Sequence, residues 1–294
     1  MCGICGIMLK DHYDPNFPIG SLLYQMMESQ QVRAQDSAGI AIFNDGDALC
    51  NNDMFYNLNY FIKSPTPTNG YDLIVERIPA NKIVNEQSSL VSQLSKEDTV
   101  SIIGYAKKMK LVKNMGLVKD LDKKYNIKSM KGSHGIGHLR IATSSKVDPI
   151  NAHPFSTTIL PDIAVVHNGE ITNYSTLRNL LEIKGYPFYS SCDSEIIAVF
   201  LVDQLLMHGN IQRAHAEFIQ KADGPFTYIA ATPHSLSLVR DKFGTRKGII
   251  GYNRGGGGKP AFWAMATDLS ALDIVGANDD VKAAPPGKSI IFTI

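Results

Sequence analysis

The amino-acid sequence predicts an α+β domain in which helices and sheets form separate layers. Predicted strands and helices come in blocks rather than in strict alternation, which argues against a doubly wound parallel sheet. From residue 132 onward, strand-like segments are closely spaced and separated by glycine. Residues 50–131 differ in composition from the segments on either side, which predicts an insertion.

The N-terminal part predicts a strand, a helix and a second strand. Residues 3–9, GICGIML, form an apolar run of strand length. Apolar residues then recur at helical spacing within 19–34, and SAGIAIF at 37–43 predicts the next strand.

The stretch 50–131 predicts an α/β insertion. YDLIVERIP at 71–79 predicts a strand, and residues 81–98 predict a helix capped by Asn81. Residues 105–125 predict a second, amphipathic helix that exposes lysines. These lysines are Lys107, Lys108, Lys110, Lys113, Lys119, Lys123 and Lys124. They are either a solvated face or a surface for an acidic partner.

The remaining sequence predicts strands with three helices between them. The strands lie in SHGIGHLRIAT, IAVVHNG, GPFTYIAAT, SLSLVRD, KGIIGYN, AFWAMATD and KSIIFTI. The helices are predicted at 173–184, 193–208 and 210–221. We therefore expect residues 1–294 to form one domain that carries the insertion.

Composition argues against several classes of partner and compartment. The chain has 29 basic and 28 acidic residues and a net charge of +1, so no nucleic-acid or anionic-membrane partner is expected. Four cysteines are too few for a disulfide framework in 294 residues, which indicates a reducing compartment. Charged residues interrupt the N-terminal apolar stretch at Lys10, and no run approaches the roughly 20 apolar residues of a membrane span. We expect a cytoplasmic protein.

The first eight residues, MCGICGIM, allow four interpretations of Cys2 and Cys5. The pair could form half of a metal site, a redox dithiol, or part of a packed strand. Alternatively, removal of Met1 would leave Cys2 with a thiol and a free α-amine on one residue. Their unperturbed pKa values, about 8.5 and about 8, are close enough for the amine to take the thiol proton. Cys2 would then be a nucleophile that carries its own base.

Four polar segments carry further candidates for chemistry. They are RAQDSAG at 33–39, GHLRIATSS at 137–145, HNGEITNY at 167–174 and SCDSEII at 191–197. Each alone has a structural explanation. Arg33 and Asp36 could pair at a helix end, Arg140 could neutralise a carboxylate, and HNG is a common turn.

In order, these segments resemble the class II glutamine amidotransferases, the glutaminase domains of the N-terminal nucleophile hydrolases. The resemblance includes MCGICG, RxQDSAG, GHxRxAT, NAHPF, HNGEITN, DSE and VRDKFGTRKG, and covers nearly everything outside 50–131. It implies a four-layer αββα sandwich. It also implies that Cys2 attacks the side-chain amide of glutamine, releasing ammonia and forming a γ-glutamyl thioester that water hydrolyses to glutamate.

The resemblance also implies roles for other residues. The side-chain amide of Asn168 and the backbone N–H of Gly169 would bind the oxyanion. Arg140 would bind the α-carboxylate of glutamine and Asp193 its α-ammonium group. Thr143, in GHLRIATSS, would add a hydroxyl contact. His153, in NAHPF, would either line the pocket or support it structurally.

Supporting roles and departures from the family pattern complete the site. Arg33 and Asp36 are expected to order the loop near the nucleophile. Ala34 replaces the usual glycine, and Cys5 replaces an aliphatic residue. Because side chains alternate along a strand, Cys5 should face away from Cys2, which argues against a dithiol. Cys192 lies beside Asp193, but without a second Cys and His cluster we expect no metal.

The acceptor of the ammonia is expected on another chain. The sequence ends in PPGKSIIFTI, which resembles the end of the glutaminase domain, and GGGG at 255–258 lacks the context of a phosphate loop. The best match is to free-standing amidotransferase subunits of glutamate synthase-like enzymes, including the N-methylglutamate synthase type. In these, a partner subunit carries flavin and an iron-sulfur cluster, and this chain needs no cofactor. The alternatives are a catalytically silent scaffolding subunit, and an amide hydrolase for another substrate, which Arg140 and Asp193 disfavour.

Overall fold

The computed structural model describes residues 2–10, 14, 16–43, 55–63, 71–79, 100–141 and 146–294. The strands in these ranges are β1 (Gly3–Leu9), β2 (Ser37–Phe43), β3 (Phe55–Lys63), β4 (Tyr71–Pro79), β5 (Val100–Ala106), β6 (Met109–Met115), β7 (His134–Arg140), β8 (Ala164–Gly169), β9 (Phe226–Thr232), β10 (Ser235–Arg240), β11 (Ile249–Asn253), β12 (Phe262–Ala266), β13 (Asp279–Ala283) and β14 (Ser289–Thr293). The α-helices are α1 (Ile19–Gln30), α2 (Val118–Tyr125), α3 (Tyr174–Ile183), α4 (Glu195–His208), α5 (Ile211–Lys221) and α6 (Leu269–Asp273).

Two antiparallel sheets form the centre of the molecule. The larger has the strand order β13-β11-β12-β1-β7-β2-β6, and the smaller has the order β14-β10-β9-β8. Strands β1, β2 and β7 are buried along their whole length, since the larger sheet is covered on both faces. Their near-continuous apolar or glycine-rich sequences follow from this position.

Three groups of buried side chains separate four layers. Residues such as Ile4, Ile136 and Ile229 pack between the two sheets. The outer face of the larger sheet packs against α1 and α6, and the outer face of the smaller sheet packs against α4 and α5. The alternation of side chains along each strand supplies both faces of each sheet. The predicted four-layer αββα sandwich is confirmed.

Helix α4 is buried over most of its length. It is apolar nearly all round, and its residues from Glu195 to Gln204 are buried. Such a helix is stable only when other elements surround it. Gly209 ends α4 in the left-handed conformation, at φ 61°.

The region predicted as an insertion divides into two parts. Strands β3, β4 and β5 form a separate three-stranded sheet with β3 in the centre. Strand β6, in contrast, pairs with β2 at the edge of the larger sheet. The strand predicted at 71–79 is confirmed as β4. The helix predicted at 81–98 lies outside the described residues.

The prediction of one helix over 105–125 is wrong in its first part. Met109–Met115 is strand β6, and Val118–Tyr125 alone forms a helix in this stretch. The apolar residues and lysines of this stretch are spaced in a way that fits both a strand and a helix. The stretch forms a strand because its backbone pairs with β2. Lys113, predicted to be exposed, is buried. Among the described residues, no helix is long and apolar enough to cross a membrane.

Candidate active site

One side of the candidate site forms where three strands of the larger sheet end together. Gly3 of β1 pairs with Leu139 of β7, which places the preceding Cys2 beside the following Arg140. Ser37 of β2 pairs with Arg140 from the other side. The backbone N–H of Asp36 donates to the carbonyl of Arg140 over 3.0 Å. We call Cys2 and Arg140 the strand-end wall.

A second part of the pocket lining comes from β8 and from the turn before α4. His167 and Gly169 lie at the end of β8, and Asp193 and Ser194 lie immediately before α4. We call these four residues the helix-side wall. The residues that line the pocket are Cys2, Arg140, Ile141, His153, His167, Gly169, Glu170, Cys192, Asp193 and Ser194.

Cys2, the predicted nucleophile, lines this pocket. Its Sγ lies 3.6 Å from the carbonyl oxygen of Ile141. Burial raises the pKa of the Cys2 thiol, while the backbone of Ile141, the N-terminal positive charge and Arg140 oppose the rise. A thiol with a raised pKa is a weak nucleophile until a base removes its proton.

Arg140 and Asp193 place opposite charges on the two walls. Arg140 is buried, and its Nη1 donates to the carbonyl oxygen of Lys146 over 3.1 Å. Asp193 accepts a hydrogen bond from the backbone N–H of Ile171 over 2.9 Å and another from Ser194 Oγ over 3.1 Å. These bonds hold the Asp193 carboxylate beside the segment that follows Gly169.

Gly169 occupies a position that no other residue fits. Its φ is 142°, and a Cβ atom there would lie 2.1 Å from the carbonyl oxygen of Pro225. Neighbouring Asn168 is buried opposite Thr227 of β9, on the strand face opposite His167. Gly169 thus lines the pocket in a conformation that glycine alone adopts readily, packed directly against the backbone of Pro225.

Three buried histidines lie at the pocket, where His153 and His167 line it and His138 links the two sheets. His138 Nε2 donates to the backbone carbonyl of His167 over 3.0 Å, and the ring of His153 stacks on His138 with centroids 3.8 Å apart. His167 Nδ1 lies 2.7 Å from Ser194 Oγ. Burial lowers the pKa of all three, that of His138 to about 3. They are neutral at pH 7, so none acts as a cationic acid there.

Comparisons with known proteins identify the family of this chain. The glutamine amidotransferase domain model matches residues 138–272. A protein of Methanothermobacter thermautotrophicus named as a glutamine amidotransferase is 30% identical over 315 aligned residues, covering 100% of both chains. This chain belongs to the class II glutamine amidotransferases. The glutamine amidotransferase-like protein GlxB of Rhizobium meliloti is 31% identical over 271 residues, 85% of each chain.

Solved structures show the same fold as this amidotransferase. The glutamine phosphoribosylpyrophosphate amidotransferase of B. subtilis has a TM-score of 0.65 and 21% sequence identity. The similarity covers 99% of this chain and 47% of that enzyme, so the amidotransferase spans about half of its length.

The structure brings together five of the sequence-predicted site residues. Cys2, Arg140, His153, Gly169 and Asp193 all line the pocket, so the predicted nucleophile shares it with a basic and an acidic side chain. This arrangement suits an amide substrate with a zwitterionic amino-acid group. No group of three His, Cys, Asp or Glu residues in the described ranges could hold a metal ion.

The other predicted residues lie elsewhere or outside the described ranges. Asn168 is next to Gly169 but does not line the pocket, so its role as an oxyanion donor stays a prediction. The guanidinium of Arg33 forms an ion pair with Asp268, whose carboxylate also accepts from the Ser270 backbone N–H at the start of α6. Asp36 contacts the site through its backbone bond to Arg140. Thr143 lies outside the described residues, and its hydroxyl contact stays a prediction.

Sequence reasoning assigned no role to His167 or Ser194, and it placed Lys113 on an exposed face. His167 precedes Asn168 in HNGEITN, and strand alternation alone would have placed it on the opposite face from Asn168. Ser194 lies within DSE, between two acidic residues. Lys113 shares a face of β6 with the buried Met109 and Leu111. This spacing of two residues along a strand was the sequence signal that could have predicted its burial.

Cys5 lies on the helix-facing side of β1, as strand alternation predicted. It is buried in the layer beneath α1, and its Sγ lies 3.7 Å from the carbonyl oxygen of Gly137. Burial raises the pKa of its thiol to about 12. Cys192 lines the pocket, but burial also raises the pKa of its thiol, to about 11. Both thiols are therefore protonated at neutral pH.

Proposed function

We propose that this amidotransferase hydrolyses L-glutamine through a thioester on Cys2 and supplies the ammonia to a separate synthase subunit of glutamate synthase-like type. The observation that carries the first part is the shared pocket of Cys2, Arg140 and Asp193. An amino-acid head group needs both a cation and an anion to bind it, and these two side chains provide them on the two walls.

The proposed reaction begins with a proton transfer within one residue. With Met1 removed, the α-amine of Cys2 takes the proton of its own thiol. The thiolate then attacks the side-chain carbonyl carbon of glutamine, and its C–S bond forms as the carbonyl π electrons move to oxygen. The raised pKa of the thiol makes an adjacent base necessary.

The second half of the reaction releases both products. The oxyanion is bound by Asn168 and Gly169, and it collapses as the C–N bond breaks and the protonated α-amine of Cys2 gives its proton to the leaving ammonia. Water, activated by the same amine, attacks the thioester carbonyl. The C–S bond then breaks and glutamate leaves, with the thiol restored.

Intact mass measurement tests the proposed nucleophile. The active protein should have lost Met1, and a glutamine analogue with a diazoketone in place of the amide should add to Cys2 alone. The adduct is located by peptide mass spectrometry, with the Cys2→Ala protein as control. A working enzyme that retains Met1 would overturn the mechanism, because the amine of Cys2 would then be part of a peptide bond.

The acceptor subunit is the part of the proposal that rests on resemblance alone. The series of motifs is similar to that of free-standing amidotransferase subunits of glutamate synthase-like and N-methylglutamate synthase enzymes. We infer a cytoplasmic complex in which the partner carries flavin and an iron-sulfur cluster. Lys119, Lys123 and Lys124 on the exposed face of α2 offer it a basic surface.

Purification of the complex from its own host tests the partner. We expect a second chain that co-elutes and absorbs light as a flavoprotein. The complex should use glutamine as its nitrogen donor, and free ammonium should replace glutamine when Cys2 is changed to Ala. A complex whose turnover with glutamine survives Cys2→Ala would instead make this chain a silent scaffolding subunit.

A further inference from the structure

A buried lysine outside the pocket holds the loop that connects its walls. Lys113 lies on β6 opposite Gly39 of β2, and 2% of its surface is exposed. It points to the same side of the sheet as Met109 and Leu111, which pack between the two sheets. At Lys113, the backbone of the loop at 146–155 packs against the sheet in place of apolar side chains from the smaller sheet.

The loop wraps the lysine with backbone carbonyl groups. Lys113 Nζ donates to the carbonyl oxygens of Ile150 over 3.3 Å, Ala152 over 2.7 Å and Pro154 over 3.2 Å. The same ammonium group lies 4.9 Å from the centre of the Phe155 ring. Three donors of one ammonium group therefore match three carbonyl oxygens of one short segment.

The sheet leaves no room for the loop to shift toward it. A Cβ atom on Gly39 would lie 2.0 Å from the carbonyl oxygen of His153, so the loop backbone lies directly on β2. This contact explains the glycine in the RAQDSAG segment. Lys113 and Gly39 thus hold the loop at a fixed distance from the sheet. The two residues are paired across β2 and β6.

The same loop contacts both walls of the pocket. Near its start, the carbonyl oxygen of Lys146 accepts from Arg140 Nη1 over 3.1 Å. In its middle, Asn151 Oδ1 accepts from the backbone N–H and the hydroxyl of Ser191, each over 3.1 Å. His153 lines the pocket itself. A displacement of the loop would therefore move a guanidinium contact, a pocket side chain and the segment before Asp193 together.

We propose that Lys113 is a positioning residue for glutamine binding, which acts by clamping the 146–155 loop so that Arg140 and His153 keep their places in the pocket. This inference rests on the proposed role of Arg140 in binding the α-carboxylate. Lys113 itself does not line the pocket and takes no part in the bond-forming steps.

The charges around Lys113 are consistent with a clamp. Burial lowers the pKa of its ammonium group to about 8, and Arg140 acts in the same direction. Glu195, Cys192 and Asp148 act in the opposite direction. The group is thus largely charged at pH 7, where ammonium-to-carbonyl bonds are stronger than neutral ones.

Steady-state glutamine hydrolysis by the full chain tests the clamp. Lys113→Met keeps the length of the side chain and removes its charge and donors. We expect the KM for glutamine to rise about tenfold while kcat changes by less than about threefold, because binding is lost and the nucleophile is untouched. Lys113→Arg keeps a charged donor and should give an intermediate KM. Lys110→Met, on the exposed face of the same strand, should leave both constants unchanged.

Two further measurements separate the possible failures. Melting temperatures show whether each variant folds, and Arg140→Ala shows whether Arg140 binds glutamine at all. An unchanged KM in folded Lys113→Met beside a raised KM in Arg140→Ala would overturn the clamp alone. An unchanged KM in Arg140→Ala would overturn the proposed role of Arg140. If neither Lys113 variant folds, Lys113 serves stability only and the proposal is wrong.

Discussion

The two walls of the pocket are built in different ways. In the strand-end wall, Cys2 and Arg140 lie beside each other because β1 and β7 pair in one register. In the helix-side wall, Asp193 is held by a bond to the Ile171 backbone, and Ser194 by a bond to His167. The strand-end wall depends on a backbone ladder alone. In the helix-side wall, His167 and Gly169 belong to the β8–β9 ladder, but Asp193 and Ser194 depend on single side-chain bonds to distant segments.

Because of this difference, we expect the two walls to tolerate different amino-acid substitutions. Backbone pairing fixes the strand-end wall whatever the side chains are, because the register of the whole strand would have to slip to move it. Substitutions there should remove a chemical group without moving its neighbours. In the helix-side wall, a single substitution can also move the backbone.

The largest effect is expected for Cys2→Ala in the strand-end wall. Turnover of glutamine should fall on the order of 10⁶-fold, to the background of the assay, because the nucleophile is lost. The melting temperature should stay within a few degrees, measured by circular dichroism, because the β1–β7 register is unchanged.

Cys5→Ala is the matched control for Cys2→Ala. Cys5 is buried in the layer beneath α1, so its removal should lower the melting temperature while turnover is retained. If Cys2→Ala kept measurable thioester formation, or if Cys5→Ala abolished it, the assignment of the nucleophile would be wrong.

Gly169→Ala should show how sensitive the helix-side wall is to its backbone. The added Cβ would lie 2.1 Å from the Pro225 carbonyl oxygen, so the strand end must shift and the oxyanion donors with it. We expect kcat to fall about 10²-fold, the usual cost of losing one such donor. Asn168→Ala should lower kcat to a similar degree and change KM less.

Gly209→Ala is a control for Gly169→Ala. It has the conformational cost of a side chain at positive φ but no steric clash. Gly209 also has a positive φ, of 61°, but an added Cβ would meet nothing within 4 Å. This variant should lose about 1 kcal/mol of stability in denaturant unfolding and keep its kcat. A comparable loss of kcat in both variants would show that the position of Gly169 is not special.

Arg140→Ala should mainly weaken substrate binding. Loss of the charged donor should raise the KM for glutamine by about 10- to 100-fold, measured by steady-state kinetics. Arg213→Ala on the exposed surface of α5 should leave the KM unchanged. An unchanged KM in Arg140→Ala would mean that the strand-end wall supplies the nucleophile but not recognition.

The smallest effect concerns three buried neutral histidines that belong to neither wall. Burial lowers the pKa of His138 and His215 to about 3 and that of His134 to about 4. Between these values and 6.5, the unfolded chain binds more protons than the folded chain, so stability rises with pH and is lost on acidification.

His215→Asn isolates one of these histidines away from the pocket. Asn can still bond to the Tyr228 hydroxyl, which lies 2.8 Å from His215 Nδ1, but it does not titrate. Between pH 7 and pH 5, the variant should lose about 2 kcal/mol less free energy of unfolding than the parent chain. Equal losses, measured by urea unfolding at both pH values, would mean that His215 is protonated in the folded protein.

The secondary structure was predictable where one periodicity dominates. The predicted helices at 173–184, 193–208 and 210–221 agree with Tyr174–Ile183, Glu195–His208 and Ile211–Lys221. The stretch around Met109–Met115 was not predictable, because its pattern fits two periods and the pairing partner β2 lies far away in sequence. Strands β3 and β5 were also missed.

The sequence by itself determined the fold class, the family and the chemical groups of the site, because these depend on local patterns and on the order of short motifs. The tertiary structure alone decided which groups meet. The burial of Lys113 by three loop carbonyls, the pairing of Arg33 with Asp268 and the contact of His138 with His167 each join segments distant in sequence. Such contacts depend on strand register and layer packing, which no local pattern encodes.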